Sequence, residues 1–166
     1  MGDGIVIIGI DPDVEQSGVA RLDVATRQSW ANHLPFPLLV DYVQQAEREC
    51  RKEGKRLRVY VEASWDTAHN WHGEWKDSRA IAAKKGYDVG RNHQTGRLIV
   101  ESLQHCGIEV QEIRPLKKIW QSKDGKITHR ELTEITKWEK KRSNQEERDA
   151  MLIAWYASGL PIRVKV

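Results

Sequence analysis

Short apolar runs alternate with longer amphipathic stretches along this chain. Residues 5–10, Ile-Val-Ile-Ile-Gly-Ile, are apolar throughout, mostly β-branched, and bounded by Gly4 and Pro12. A run of that length without a polar face predicts a central strand covered on both sides. Residues 17–22 and 28–34 predict two more strands, reached through the turns at 12–16 and at Thr26-Arg27, and together the three suggest an antiparallel meander. Pro35 and Pro37 close that unit. A helix is expected from about 38 to 53, with apolar residues at 39, 40, 43 and 46 and a solvated face of Gln, Glu and Arg, stopped by Gly54. The pattern then predicts a strand over 57–62, a helix over about 90–104, a strand over 108–113, a helix over 128–138, and a final helix over 144–157 that ends before Gly159 and Pro161. There is no internal repeat or low-complexity segment. This order predicts an α/β fold: one mixed sheet with helices on both faces, in a single domain spanning 1–166.

Three acidic residues stand where these apolar elements surface. Asp11 ends the first strand, Glu62 ends the fourth, and Asp149 opens the apolar helix Ala150-Met151-Leu152-Ile153-Ala154-Trp155. Each has an ordinary structural explanation beside a functional one. Asp11 precedes Pro12 and could simply form a turn. Glu62 could be a solvent-facing strand residue, although a doubly covered strand offers little solvent. Asp149 shares a helix face with Ala150, Ile153 and Ala157, a packing stripe on which an acid costs stability unless it is paired or bound to metal. Glu146, one turn earlier, is either a fourth ligand or the distal half of a capping box begun by Ser143. Clustered like charges repel, and a divalent cation removes that penalty. Two hard cations held by Asp and Glu about 3.5–4 Å apart are a common apparatus for cutting phosphodiesters.

Charge distribution points the same way. The formal net charge is only +3, but residues 114–142 hold ten Lys/Arg against four Asp/Glu, which suits a phosphate backbone. Cys50 and Cys106 are without metal-ligand spacing and read as free thiols of a cytoplasmic, reducing environment. No apolar stretch nears the roughly 20 residues of a membrane span, and no charged-then-apolar leader opens the sequence, so no membrane partner is expected. Residues 63–87 interleave Trp65, Trp71 and Trp75 with Lys76, Arg79, Lys84 and Lys85. That mixture suits stacking on unpaired bases, or a lid whose tryptophans pack on the domain. His69 and His72 alone would make an incomplete zinc site.

Taken in order, these residues resemble the RNase H-like nuclease superfamily and, within it, the RuvC-type Holliday-junction resolvases. Ile8-Gly9-Ile10-Asp11-Pro12 with Ser17-Gly18-Val19-Ala20 is similar to the family's first-strand motif. Val61-Glu62 is similar to its fourth-strand glutamate, and Glu146-x-x-Asp149-Ala150 to its C-terminal acidic pair. Gly90 and Gly96 resemble the start of its central helix, and Ile113-Arg114-Pro115 with Lys117-Lys118 the segment after its fifth strand. The resemblance covers about residues 5–158. It implies a five-stranded sheet in the order 3-2-1-4-5. It implies two Mg2+ ions, with Mn2+ as a substitute, on Asp11, Glu62, Glu146 and Asp149, and a homodimer that cuts two strands of branched DNA. Trp71, Arg79, Lys84, Lys85, Arg91, Lys117 and Lys118 are the expected nucleic-acid contacts. The chain departs from the family pattern at Asp13, where glycine is usual, and at Glu146, where aspartate is common. The competing readings are another structure-selective or RNA-processing nuclease of this fold, or a non-catalytic nucleic-acid-binding member.

Overall fold

A computed structural model describes residues 4–67 and 73–162. Five strands, β1 (Ile5–Asp11), β2 (Ser17–Asp23), β3 (Ser29–Leu34), β4 (Arg56–Glu62) and β5 (Val110–Ile113), form one sheet in the order β3-β2-β1-β4-β5. The first three pair antiparallel, while β4 runs parallel to both β1 and β5. The helices are α1 (Phe36–Lys52), α2 (Arg79–His105), α3 (His129–Thr136) and α4 (Gln145–Ala157). The expected mixed sheet, its strand order and its two covered faces are therefore present.

Alternation along β1 divides the core. Val6, Ile8 and Ile10 face α1 and α2, where they meet Leu39, Val43, Ile99 and Leu103. Ile7 faces α4 and meets Met151, Ile153, Trp155 and the buried Leu132 of α3. Trp120, Ile127 and Trp138, from the basic segment, complete this second core. Its hydrophobic anchors explain how so charged a stretch is held down.

Two glycines set how close α4 lies to the sheet. A Cβ on Gly9 would collide with the carbonyl oxygen of Ala150 and lie 2.6 Å from the Ala154 nitrogen. A Cβ on Gly18 would collide with the Glu146 carbonyl. Glycine is needed here for close backbone approach rather than for an unusual dihedral.

Two sequence expectations are corrected. First, α2 begins at Arg79, well before residue 90, with the Ser78 side chain accepting from the Ile81 amide. Residues 79–84 are all exposed, so they show no apolar stripe, and Gly86 and Gly90 read as breaks although both lie inside the helix. Ala, Lys and Arg sustain the helix there by propensity. Second, the cap of α4 is Asn144, which forms a reciprocal capping box with Glu147, not Ser143 with Glu146. The sequence offers both frames one residue apart, and tertiary contacts select Glu147: its carboxylate is buried and receives Lys140 Nζ at 2.8 Å. Ile99 and Leu103 of α2 are fully buried core residues. Smaller differences are confined to element ends, as for β5 and α3. Cys50 and Cys106 are both free, as expected.

Candidate active site

The parallel register of β1 and β4 aligns Ile10 with Val61, so the next residues, Asp11 and Glu62, end neighbouring strands on the same edge. The first turn of α4 comes to that edge because Gly18, paired with Asp11 across the β1–β2 ladder, admits the Glu146 backbone. Asp149 thus joins Asp11 and Glu62. Burial and then the neighbouring charges of Glu62 and Asp149, with a smaller contribution from Glu146, push the Asp11 carboxyl well above the usual carboxylate range. Burial and then Asp149 also raise Glu62, against the opposing pull of the Leu116 backbone amide, Lys126 and Lys118. Asp11, Glu62 and Asp149 thus lie close enough to act on one another, and Glu146 close enough to act on Asp11.

Sequence reasoning missed the cation among them. Lys126 Nζ lies 3.1 Å from Asp149 Oδ2. Burial pulls the Lys126 ammonium down, but Asp149, Asp11 and Glu146 outweigh it and hold the group charged above its ordinary range. The other Asp149 oxygen, Oδ1, accepts from Gln145 Nε2 at 2.7 Å. Arg148, next to Asp149 in sequence, points elsewhere: it donates to the carbonyls of Ile127 and Ser143 and to Gln145 Oε1. It thereby pins the Lys126 loop and the α4 cap to one another. Nothing in the local sequence separates Lys126 from nine other cations in that stretch; its role comes from tertiary placement.

Among the described residues no group of three or more His, Cys, Asp or Glu is closed around a point that could hold a metal ion. Asp11, Glu62 and Asp149 lie within electrostatic reach of one another, with Lys126 paired to Asp149. Their donor chemistry, hard oxygens under mutual repulsion, is what Mg2+ or Mn2+ binds. The residues fit such an ion in kind.

The surrounding loop is well held. Asp13 Oδ1 accepts from the amides of Glu15 and Gln16, and the Val14 amide donates to Asn92 Oδ1 of α2. Asp13 is therefore a turn former, which accounts for an acid where glycine was expected. Behind Glu62, a 3-10 turn (Ser64–Asp66) carries Trp65 onto α2, where a Cβ on Gly96 would strike its ring. Gly96→Ala is expected to displace Trp65 and destabilise the protein by about 1–3 kcal/mol, read as a lower urea midpoint. An unchanged midpoint would show that the turn yields freely.

The expected nucleic-acid contacts are dispersed. Arg79 and Lys84 are exposed on the first half of α2, Lys85 is tied to Asp77 at 2.9 Å, and Arg91 lies over the Tyr87 ring at 5.5 Å. Lys117 and Lys118 are exposed beside the acidic edge, Lys118 close enough to act on Glu62. Trp71, His69 and His72 lie outside the described residues. The tryptophans of this region divide: Trp65 packs on the core, whereas Trp75 is 98% exposed.

No protein-family model matches the chain, and no curated protein matches it. Among solved structures, T. thermophilus RuvC in complex with Holliday junction substrate is similar over 94% of this chain and 97% of that chain, with a TM-score of 0.50 and 14% identity. The sheet order 3-2-1-4-5, with helices on both faces, is the one found there. The fold is RNase H-like. A second Thermus thermophilus RuvC structure covers 93% of this chain and 97% of its own at 18% identity, with a TM-score of 0.42. At these identities the likeness is one of fold. The RNase H-like sheet of this chain presents its acids at the carboxyl ends of β1 and β4 and the first turn of α4. No described helix is long and apolar enough to cross a membrane.

Proposed function

We propose that this chain is a divalent-metal-dependent endonuclease that hydrolyses phosphodiester bonds in branched DNA, as a homodimer. The reading is supported chiefly by Asp11 and Glu62 at the ends of neighbouring strands, within electrostatic reach of Asp149, against the cost that raises the Asp11 and Glu62 carboxyls. Such perturbed clusters mark functional sites more often than structural ones. Branched DNA is favoured because the similar RuvC structure is a complex with a Holliday junction.

Asp11 and Glu62 hold their positions through the backbone ladder, and Asp149 through a capped helix, so the ligands are fixed before an ion arrives. Bound Mg2+ or Mn2+ would activate water and stabilise the leaving 3′ oxygen. Lys117 and Lys118, at the rim, attract the phosphate backbone and draw it toward the acids. Lys84, Arg79 and Arg91 offer further phosphate contacts along α2. The non-catalytic reading draws support from one observation, the Lys126 ammonium that already neutralises part of the cluster.

The test is a panel of labelled substrates: four-way junction, matched duplex, single strand and RNA–DNA hybrid, each with Mg2+, Mn2+ or EDTA. Paired nicks restricted to the junction and absent in EDTA are expected. Cutting of another substrate would keep the nuclease and discard the junction. Binding without cutting anywhere would favour the non-catalytic member.

A further inference from the structure

Lys126 is placed by its own local architecture. Gly125 before it adopts a positive φ of 69°, and a Cβ there would lie 2.9 Å from the Lys118 carbonyl. Gly125 closes a tight loop in which its carbonyl accepts from the Trp120 amide at 3.0 Å, with Trp120 buried in the α4-side core. Ile127 after it is 1% exposed, and its carbonyl accepts from Arg148 Nε at 3.0 Å. The residue is thus anchored on both sides, and its half-exposed side chain reaches Asp149. Its ammonium occupies one oxygen of Asp149 while Gln145 occupies the other.

We propose that Lys126 is a resident counter-cation of the carboxylate cluster, and that a divalent ion enters only by displacing its ammonium from Asp149. This rests on the metal-site reading of the previous section. A monovalent cation tethered beside the acids competes with metal at every concentration, so it raises the metal level needed to load the site. It also relieves repulsion among Asp11, Glu62 and Asp149 when no ion is bound. Lys126 is in this sense a positioning residue that sets metal affinity.

The two effects have opposite signs, which separates the role from simple structural support. Removing a structural prop should loosen the acids and weaken metal binding. Removing a competitor should strengthen it. Mn2+ is titrated calorimetrically into metal-free wild-type protein and into Lys126→Met, Lys126→Gln and Lys126→Arg at low salt. Both neutral variants should bind Mn2+ roughly fivefold more tightly, the scale of a partly exposed ion pair, and Lys126→Arg should stay near wild type. Without metal the neutral variants should melt lower than wild type, and saturating Mn2+ should close that gap. Unchanged or weaker Mn2+ binding by both folded neutral variants, with normal binding by wild type, would overturn the Lys126 inference alone. Absence of Mn2+ binding in all four proteins would overturn the metal-site reading and this inference with it.

Discussion

Asp11→Asn is expected to abolish cleavage while making the metal-free protein more stable at neutral pH. The loss follows from removing one of the proposed ligand charges of the cluster; a preorganised electrostatic group is worth up to about a thousandfold in rate, and a metal ligand should cost at least that. The gain follows from the direction of its carboxyl shift. Burial, Glu62 and Asp149 raise the folded-state value above the unfolded one. Stability linked to such a group is fully present below its unfolded pKa and is lost as pH rises through the folded pKa. Asn, neutral at every pH, does not suffer that loss. Thermal unfolding in EDTA should therefore show the variant melting above wild type at pH 7, with the gap closing near and below the ordinary carboxylate range. Mn2+ should stabilise wild type more than the variant. A variant that cuts normally, or that melts below wild type in EDTA at pH 7, would contradict the assignment.

Gly18→Ala should damage both stability and the site. The added methyl would strike the Glu146 carbonyl and sit 2.6 Å from its carbonyl carbon, with the Ala150 Cβ at 3.2 Å. These obstacles are mostly backbone, so α4 itself has to move. Overpacking of this kind costs about 1–3 kcal/mol and sometimes more, and here the displaced turn carries Glu146 and Asp149. Urea unfolding should show the loss, and Mn2+ titration of the folded fraction should show weaker binding. Gly9→Ala meets α4 one turn further along, at Ala150 and Ala154. It should cost similar stability, and its effect on metal should be smaller because it leaves the Glu146 backbone untouched. Equal metal affinity for Gly18→Ala and wild type would show that the first turn of α4 does not govern the site.

What the sequence disclosed follows from how local each signal is. Residues 5–10 announce a buried strand because all six are apolar or glycine, and Asp11 and Glu62 then fall at strand ends by counting. Their adjacency needed only a parallel β1–β4 pair. Gly9 and Gly18 are visible as residues, but their reason, the approach of α4 from a hundred and more positions away in sequence, is not. The first half of α2 has no buried face and so no period to detect. The cap of α4 had two equivalent frames, decided by Lys140 and by His33, whose Nδ1 lies 3.4 Å from Glu147 Oε1. Lys126 was illegible for the same reason as the glycines: a Gly-Lys-Ile triplet in a basic loop carries no mark of the helix it will meet.

The proposed activity has the acids at this sheet edge cut branched DNA through a divalent ion. Its most direct test is single-turnover cleavage of an end-labelled four-way junction by wild type and Asp11→Asn, with Mg2+ and with EDTA. Paired nicks are expected from wild type with Mg2+, none in EDTA, and none from a folded Asp11→Asn that still binds the junction. Nicking that persists in EDTA or in the variant, or its absence from folded wild-type protein that binds the junction in Mg2+, would contradict it.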